Sequence, residues 1–385
     1  MNIEEVLLPG EERGYEIVDL QALRRNMAAL RNSLSEKMNI VAVVKANAYG
    51  LGAIPVAKAL DEFVWGYAVA TFPEAVELRD AGIVKPVILL GPVPDRCYET
   101  AVSLGIRPVL FTREMGAAFS KAAEKAGKKG VYHIAVDTGM TRIGLTPDED
   151  GEAIVKDLLA LPCIEAEGIF THLATIDCPD KSPALRQKDR FTAFVKDLQA
   201  QGIDFPLIHC ANSVASITER AFEAEGVFNG CRYGICLYGD FPKETLDDCS
   251  ISVEPVASLY SQVTYVKTVG KGTRVGYGGT YECTGDTKIA TISFGYADGY
   301  PRSLSNKGQV LIRGHRVPIV GRVCMDQFMV DVTAYPDIKA GDTVTLLGKD
   351  GGEEITLRDL DRWGGRFSYE FLCDISPRVK RVYKQ

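Results

Sequence analysis

The sequence predicts an α/β protein of two domains. The first is an N-terminal (β/α)8 TIM-type barrel over residues 13–244, the second a C-terminal, mainly antiparallel β domain over 245–385, with 1–12 as an N-terminal extension. Three observations carry this reading. Short apolar runs alternate with helix-like segments through the first part of the chain, as expected for parallel strands buried on both faces. Eight such units over about 230 residues fit a closed barrel. From Ile251 onward the pattern changes to strict alternation between glycine-bearing turns, the texture of an antiparallel sheet.

Taken in order, Tyr15 to Leu20 leads into a helix predicted over 21–33, where Leu23, Met27 and Leu30 fall at helical spacing. The first barrel strand, Val41-Ala-Val-Val44, runs straight into Lys45-Ala-Asn-Ala-Tyr49-Gly50. A lysine at the end of a buried strand is short of water, which lowers its pKa and makes a nucleophilic amine. Carbonyl compounds and pyridoxal phosphate are its usual electrophiles. A plainer role, capping the strand and reaching water along its stem, stays open for Lys45. The remaining barrel strands are predicted at 65–70, 86–90, 108–111, 131–136, 166–172, 207–210 and 227–237, with helices such as 73–81, 113–126 and 184–200 between them. A doubly wound open sheet fits less well, because no glycine-rich dinucleotide fingerprint follows any strand. In the β domain, strands are predicted at 261–266, 288–293, 309–312, 328–332 and 342–347, forming a small barrel or sandwich.

The chain has 385 residues, 46% apolar and 25% charged, as a globular protein of two domains would. A net charge of −7 without any basic block argues against a nucleic-acid partner. The acidic start, Met1-Asn-Ile-Glu-Glu-Val6, lacks the basic and apolar regions of a signal peptide. No run of about 18 apolar residues offers a membrane span, so the cytoplasm is the expected location. Ten scattered cysteines without a CxxC pair read as reduced thiols, several inside apolar runs (Cys210, Cys231, Cys236, Cys324), and no metal site is expected.

A barrel keeps its chemistry at the C-terminal ends of its strands. Those ends carry Lys45 and Tyr49 after the first strand and Asp137 to Arg142 after the fifth. His172 closes the sixth, His209 to Ser213 the seventh, and Arg232 to Ile235 the eighth. Ser213, Gly234 and Ile235 lie after the last two strands, where such barrels often bind phosphate through backbone amides and small residues. His172 alone would read as a satisfied core histidine; five strand ends in agreement make the stronger statement.

With these residues in place the chain resembles the alanine racemases, barrel enzymes that use pyridoxal 5'-phosphate. The likeness runs from about Tyr15 to Tyr383 through VVKANAYG, DTGMTRIG, GIFTHLAT, HCANS, RYGICLYG, VGYGGTY, GYADGY and VGRVCMDQ. It implies that Lys45 carries the cofactor as an internal aldimine and acts as one of two bases. Tyr277, the other base, would reach in from the β domain of a partner subunit, so that a homodimer shares its active sites. Arg232 would bond the pyridine nitrogen, His209 would support it, and His172 would neighbour Tyr277. Tyr49, Ser213, Gly234 and Ile235 would hold the phosphate. Arg142 and the partner's Met325 would position the amino-acid substrate, with Tyr296 at the entrance. The implied activity is interconversion of L- and D-alanine, supplying D-alanine for peptidoglycan. Two bases on opposite faces remove and return the Cα proton without moving the substrate. A tyrosine base at neutral pH needs a neighbouring cation. Without the motif, Tyr277 would read as a strand tyrosine at a domain surface.

Three positions depart from the family pattern. Ala135 stands where many members have a carbamylated lysine that orients the substrate arginine, so Arg142 needs another support, such as a bound anion. Leu51 stands where histidine is frequent. Pro377, in Ser376-Pro-Arg-Val379, replaces a tyrosine whose hydroxyl reaches the cofactor phosphate. Losing one such bond costs about 1.5–3 kcal/mol of cofactor affinity if nothing replaces it. The vacated volume suggests a serine or broad-specificity racemase as the alternative. A related decarboxylase is disfavoured by the missing triple-glycine phosphate loop and cysteine–aspartate motif. A non-catalytic pyridoxal-phosphate-binding barrel would leave 245–385 unexplained.

Overall fold

The computed structural model describes residues 13–218, 226–241 and 251–385. Its contacts divide the chain into two compact units. The first comprises Ala22–Ala48 and the described residues from Gly52 to Glu254; the second comprises 13–21, Tyr49–Leu51 and Pro255–Gln385. The expected extension 1–12 and the expected boundary at 244/245 lie outside the described residues.

The first unit is a parallel barrel of β2 (Asn39–Val43), β3 (Gly66–Val69), β4 (Val87–Leu89), β5 (Ile106–Arg107), β6 (Val109–Leu110), β7 (Gly130–Ala135), β8 (Ile164–Phe170), β9 (Leu207–Ala211) and β10 (Gly230–Tyr233). The strand order is β5-β4-β3-β2-β10-β9-β8-β7-β6. Only Pro108 separates β5 from β6, and proline has no N–H for a ladder. Counted as one interrupted strand, the pair returns the row to its start and gives the eight strands expected. Strands β3, β4, β9 and β10 are buried along their whole length, which is why they read as continuous apolar runs. The helices start on chemistry visible in the sequence. Phe72–Asp80 opens on a Thr71–Glu74 capping box, and Arg113–Ala126 opens on Thr112 and stops at the left-handed Gly127.

The second unit holds β11 (Ala257–Val269), β14 (Thr287–Ile292), β15 (Gln309–Ile312), β16 (His315–Val320), β17 (Phe328–Asp331) and β18 (Thr343–Asp350). Six antiparallel pairings close them into a ring, β18-β15-β16-β17-β14-β11 and back to β18. The ring is filled by Ile312, Val317, Phe328, Val330, Val344 and Leu346, all fully buried and on one face by the strand register. Strand β1 (Gly14–Asp19), expected within the barrel domain, instead adds antiparallel to β11 and carries β20 (Lys380–Lys384) parallel on its other edge. No cysteine among the described residues forms a disulfide. Cys210, Cys231, Cys236 and Cys283 are buried, whereas Cys324 is only partly so.

Candidate active site

Arg232, on β10, is the hub of the barrel's C-terminal mouth and is itself buried. Its Nη1 donates to Nδ1 and to the backbone carbonyl of His209, each at 3.0 Å. Its Nη2 donates to the Thr171 carbonyl at 2.7 Å, the Cys210 carbonyl at 3.2 Å and Nδ1 of His172 at 3.3 Å. Both terminal nitrogens are therefore committed, and Nε–H is the donor left over. The Phe170 ring supports the guanidinium, 5.3 Å from centroid to Cζ. Burial pulls Arg232 down to about 10, so it stays cationic at neutral pH. Burial, and then Arg232, Arg142 and Lys45, push His172 down to about 3. Those three cations act on one neutral ring, so the structure gathers Lys45, Arg142, His172 and Arg232 at one mouth.

Lys45 opens a turn directly after β2. Ala46, Asn47, Ala48 and Tyr49 all take left-handed backbone, with φ of 52°, 55°, 52° and 56°. L-residues resist that conformation by about 1–2 kcal/mol each, so the turn must be held from outside. Glu74 Oε1 accepts the Ala46 N–H at 2.7 Å, and Asn47 Oδ1 accepts the Ala53 N–H at 2.8 Å. Tyr49 ends the turn and sets its ring edge-on to Tyr369, 6.3 Å between centroids. On the last two strands, Ser213 Oγ accepts the Gly234 N–H at 2.9 Å, and Ile235 begins the next helical turn, Ile235–Tyr238. Ser213, Gly234 and Ile235 thus form one contiguous cradle.

Arg142 rides on the loop after β7. Asp137 Oδ1 accepts from Gly139 N at 2.9 Å and Thr141 N at 3.0 Å. Gly144 is required, since a Cβ there would stand 2.6 Å from the Asp137 nitrogen. The helix Ser182–Ala200 fastens the loop and its neighbour: Arg190 Nη1 donates to the Thr138 carbonyl at 2.9 Å, and Gln187 Nε2 to the His172 carbonyl at 3.1 Å. Gln187, Thr138 and Thr171 escaped the sequence reading because each is one more polar residue near a motif. Ala135, in the lysine's place, packs in an apolar cluster with Val109 and Phe170, flanked by Leu90 and Phe111. Arg142 is exposed and has no ion-pair partner among the described residues.

The second unit collects the remaining predicted residues. Tyr277 sits at the tip of a turn whose neighbours Gly276 and Gly278 have φ of 68° and 73°. Its side chain is 71% exposed, unusual for an aromatic at the centre of a motif. Tyr296 N and Ala297 N donate to the carbonyls of Cys324 and Met325, both at 3.0 Å, tying the Tyr296 and Met325 loops together. Tyr277, Cys324, Met325 and Met329 line one open pocket, and Arg322 lies beside Gly278. Pro377 occupies the second position of a turn closed by Val379 N to Ser376 O at 3.1 Å, a place suited to its fixed φ.

Comparison with known proteins decides the family. Residues 18–242 match the alanine racemase N-terminal domain and residues 256–383 the alanine racemase C-terminal domain. The chain belongs to the alanine racemase family. It is 42% identical over 367 residues to an alanine racemase of Methanococcus maripaludis, covering 95% of this chain and 97% of that one. Alanine racemase of Bacillus anthracis, solved with bound L-Ala-P, superposes with a TM-score of 0.91 at 36% identity, covering 98% and 96%. A histidine racemase of Leuconostoc mesenteroides has the same fold, with a TM-score of 0.87 at 28% identity, covering 97% and 99%. Alanine racemases are pyridoxal-phosphate-dependent isomerases. The donor set fits that cofactor: an amine at a strand end, one arginine N–H left over, and the Ser213 hydroxyl, which accepts from Gly234 N and keeps its own proton to donate, beside the Ile235 amide.

Proposed function

We propose that this alanine racemase works by two bases drawn from two subunits, Lys45 of one chain and Tyr277 of another. The observation that carries this reading is the commitment of both Arg232 terminal nitrogens to protein acceptors, which leaves its Nε–H for a ring nitrogen. Pyridoxal phosphate, when bound, delocalises the electron pair released at Cα. Lys45 would hold it covalently, Arg232 would orient its ring, and Ser213, Gly234, Ile235 and Tyr49 would hold its phosphate. Arginine keeps its proton at neutral pH, so it leaves the ring nitrogen largely unprotonated and limits side reactions. Arg142 of one chain and the backbone of Met325 of the other would place the substrate carboxylate. Lys45 would then move the proton on one face of Cα and Tyr277 on the other. The exposure of Tyr277 supports a partner-filled site, and with it a homodimer. No helix of the described residues is long and apolar enough to cross a membrane; the reading places the enzyme in the cytoplasm, supplying D-alanine for peptidoglycan.

Pro377 favours a second reading of substrate range. It is exposed in its turn and offers no hydroxyl, which favours acceptance of serine or other side chains larger than methyl. One experiment tests both. The purified protein is incubated with pyridoxal phosphate and a panel of L-amino acids in deuterated water, and chiral chromatography with mass detection follows Cα exchange and inversion. Exchange with inversion of alanine is expected, and a serine rate a thousandfold or more below it would remove the broader range. In Lys45→Ala the visible absorbance shift of the cofactor should vanish; its retention would refute the assignment of Lys45.

A further inference from the structure

A barrel interior is ordinarily filled with branched apolar side chains, but here a polar column runs from Arg232 into it. His209 Nε2 lies 3.2 Å from His133 Nδ1, and His133 Nε2 lies 3.2 Å from Glu167 Oε2. Arg107 completes the column, its Nε 3.1 Å from Glu167 Oε2. His133 and His209 are fully buried.

The direction of every link follows from its ends. Arg232 can only donate, so His209 Nδ1 must accept and the proton of that neutral ring sits on Nε2. This N–H faces His133 Nδ1, which must therefore accept, and its own proton sits on Nε2. There it meets a carboxylate that can only accept. The arginine end and the carboxylate end impose the same sense, and no link is in conflict. Burial lowers the pKa of both histidines, so each ring stays neutral. Burial raises that of Glu167, but hydrogen bonds from His133 and Arg107 outweigh it and hold it ionised. Aromatic rings flank the two histidines: Phe170 lies against His209 at 4.9 Å, and Trp65 stands edge-on to His133 at 6.3 Å. Gly168 makes the room, since a Cβ there would stand 2.6 Å from the His133 ring.

We propose that Glu167 and His133 are positioning residues, the anchor and relay of a one-way hydrogen-bond chain that presents His209 to Arg232 as an acceptor. A reversed or protonated His209 would turn an N–H toward the guanidinium, and Arg232 would lose an acceptor and its aim. The geometry stands by itself, while the catalytic consequence rests on the racemase reading above.

The test uses the full-length protein loaded with pyridoxal phosphate and labelled with 15N-histidine. There are four histidines in all, and the exposed His315 serves as an internal reference. Nitrogen shifts should show His133, His172 and His209 as Nε2–H tautomers, with a coupling across the bond from His209 to His133. A protonated ring, or an Nδ1–H tautomer at His133 or His209, would overturn the proposal, and no variant needs to fold for that outcome. Glu167→Leu, which removes the acceptor, should change the His133 spectrum and lower kcat/KM for alanine about tenfold. Glu167→Gln, which keeps an acceptor, should restore most of both. Unchanged spectra and rates in Glu167→Leu would refute the positioning role. If the wild-type protein racemises nothing, the racemase reading fails while the tautomers remain as derived.

Discussion

At the scale of single residues, the barrel's buried histidines set the protein's response to acid. An unfolded chain protonates each histidine near pH 6.5, but His133, His172 and His209 resist protonation in the fold because burial lowers their pKa. Below that pH the unfolded state binds more protons, so stability falls as pH falls. For His172, held near 3, the loss is about 2 kcal/mol by pH 5. Glu16 acts in the opposite sense: burial raises it to about 7 despite Arg381, so its ionisation costs stability as pH rises from about 4.5 to 7. Three histidines outweigh one carboxyl, and the melting temperature should drop between pH 7 and 5, more steeply in Glu16→Gln. A flat profile by calorimetry would contradict this. Ala135 gives a second expectation. An apolar cluster stands where a carbamate would form, so racemisation should not change when dissolved carbon dioxide is removed or bicarbonate added; a response would locate a carbamylated lysine elsewhere. The sequence displayed His172, His209 and Arg232 because they end strands. It hid His133, which sits in a strand buried almost throughout, and Glu167, which alternates with Glu165 as a solvent-facing residue would.

At the scale of elements, one carboxylate couples a helix start to the lysine turn. Glu74 Oε2 accepts from Ala70 N and Thr71 N, both at 2.9 Å, while its Oε1 accepts from Ala46 N at 2.7 Å. The Thr71–Glu74 box has the Thr-x-x-Glu spacing of a helix start, but its second duty has no such pattern, since nothing in the sequence tells which distant N–H a capping side chain also meets. Four left-handed residues in a row persist only while such contacts outweigh their strain. Glu74→Ala should therefore cost about 2–3 kcal/mol in denaturant unfolding and also weaken cofactor retention. Stability lost with retention intact would separate the helix cap from the turn. The one strand misassigned to a domain, β1, is instructive. Its burial alternates along Gly14–Asp19, the signature of the β unit it joins, yet it precedes the barrel in the chain. Pairing with β11, some 240 residues away, is a tertiary fact that local pattern does not carry.

At the scale of the whole molecule, the decisive question is whether one chain holds a complete site. In the proposed site the barrel mouth would supply the amine, the arginine and the phosphate cradle, while Tyr277 stands 71% exposed on the other unit. If sites are shared across a twofold dimer, each needs Lys45 from one chain and Tyr277 from the other. Lys45→Ala and Tyr277→Phe should each be close to inactive alone. When the two are mixed in equal amounts and allowed to exchange subunits, half of the dimers become hybrids. Each hybrid has one site carrying both lesions and one carrying neither. Activity should then rise to about one quarter of wild type. If Lys45 and Tyr277 of the same chain formed the site, no intact site could arise in any mixture, and the activity would stay at the level of the single variants. The size of the recovery matters as well as its presence: a value near one quarter requires each site to take Lys45 and Tyr277 from two different chains combined at random, and sizing of the mixture shows whether those chains pair as dimers.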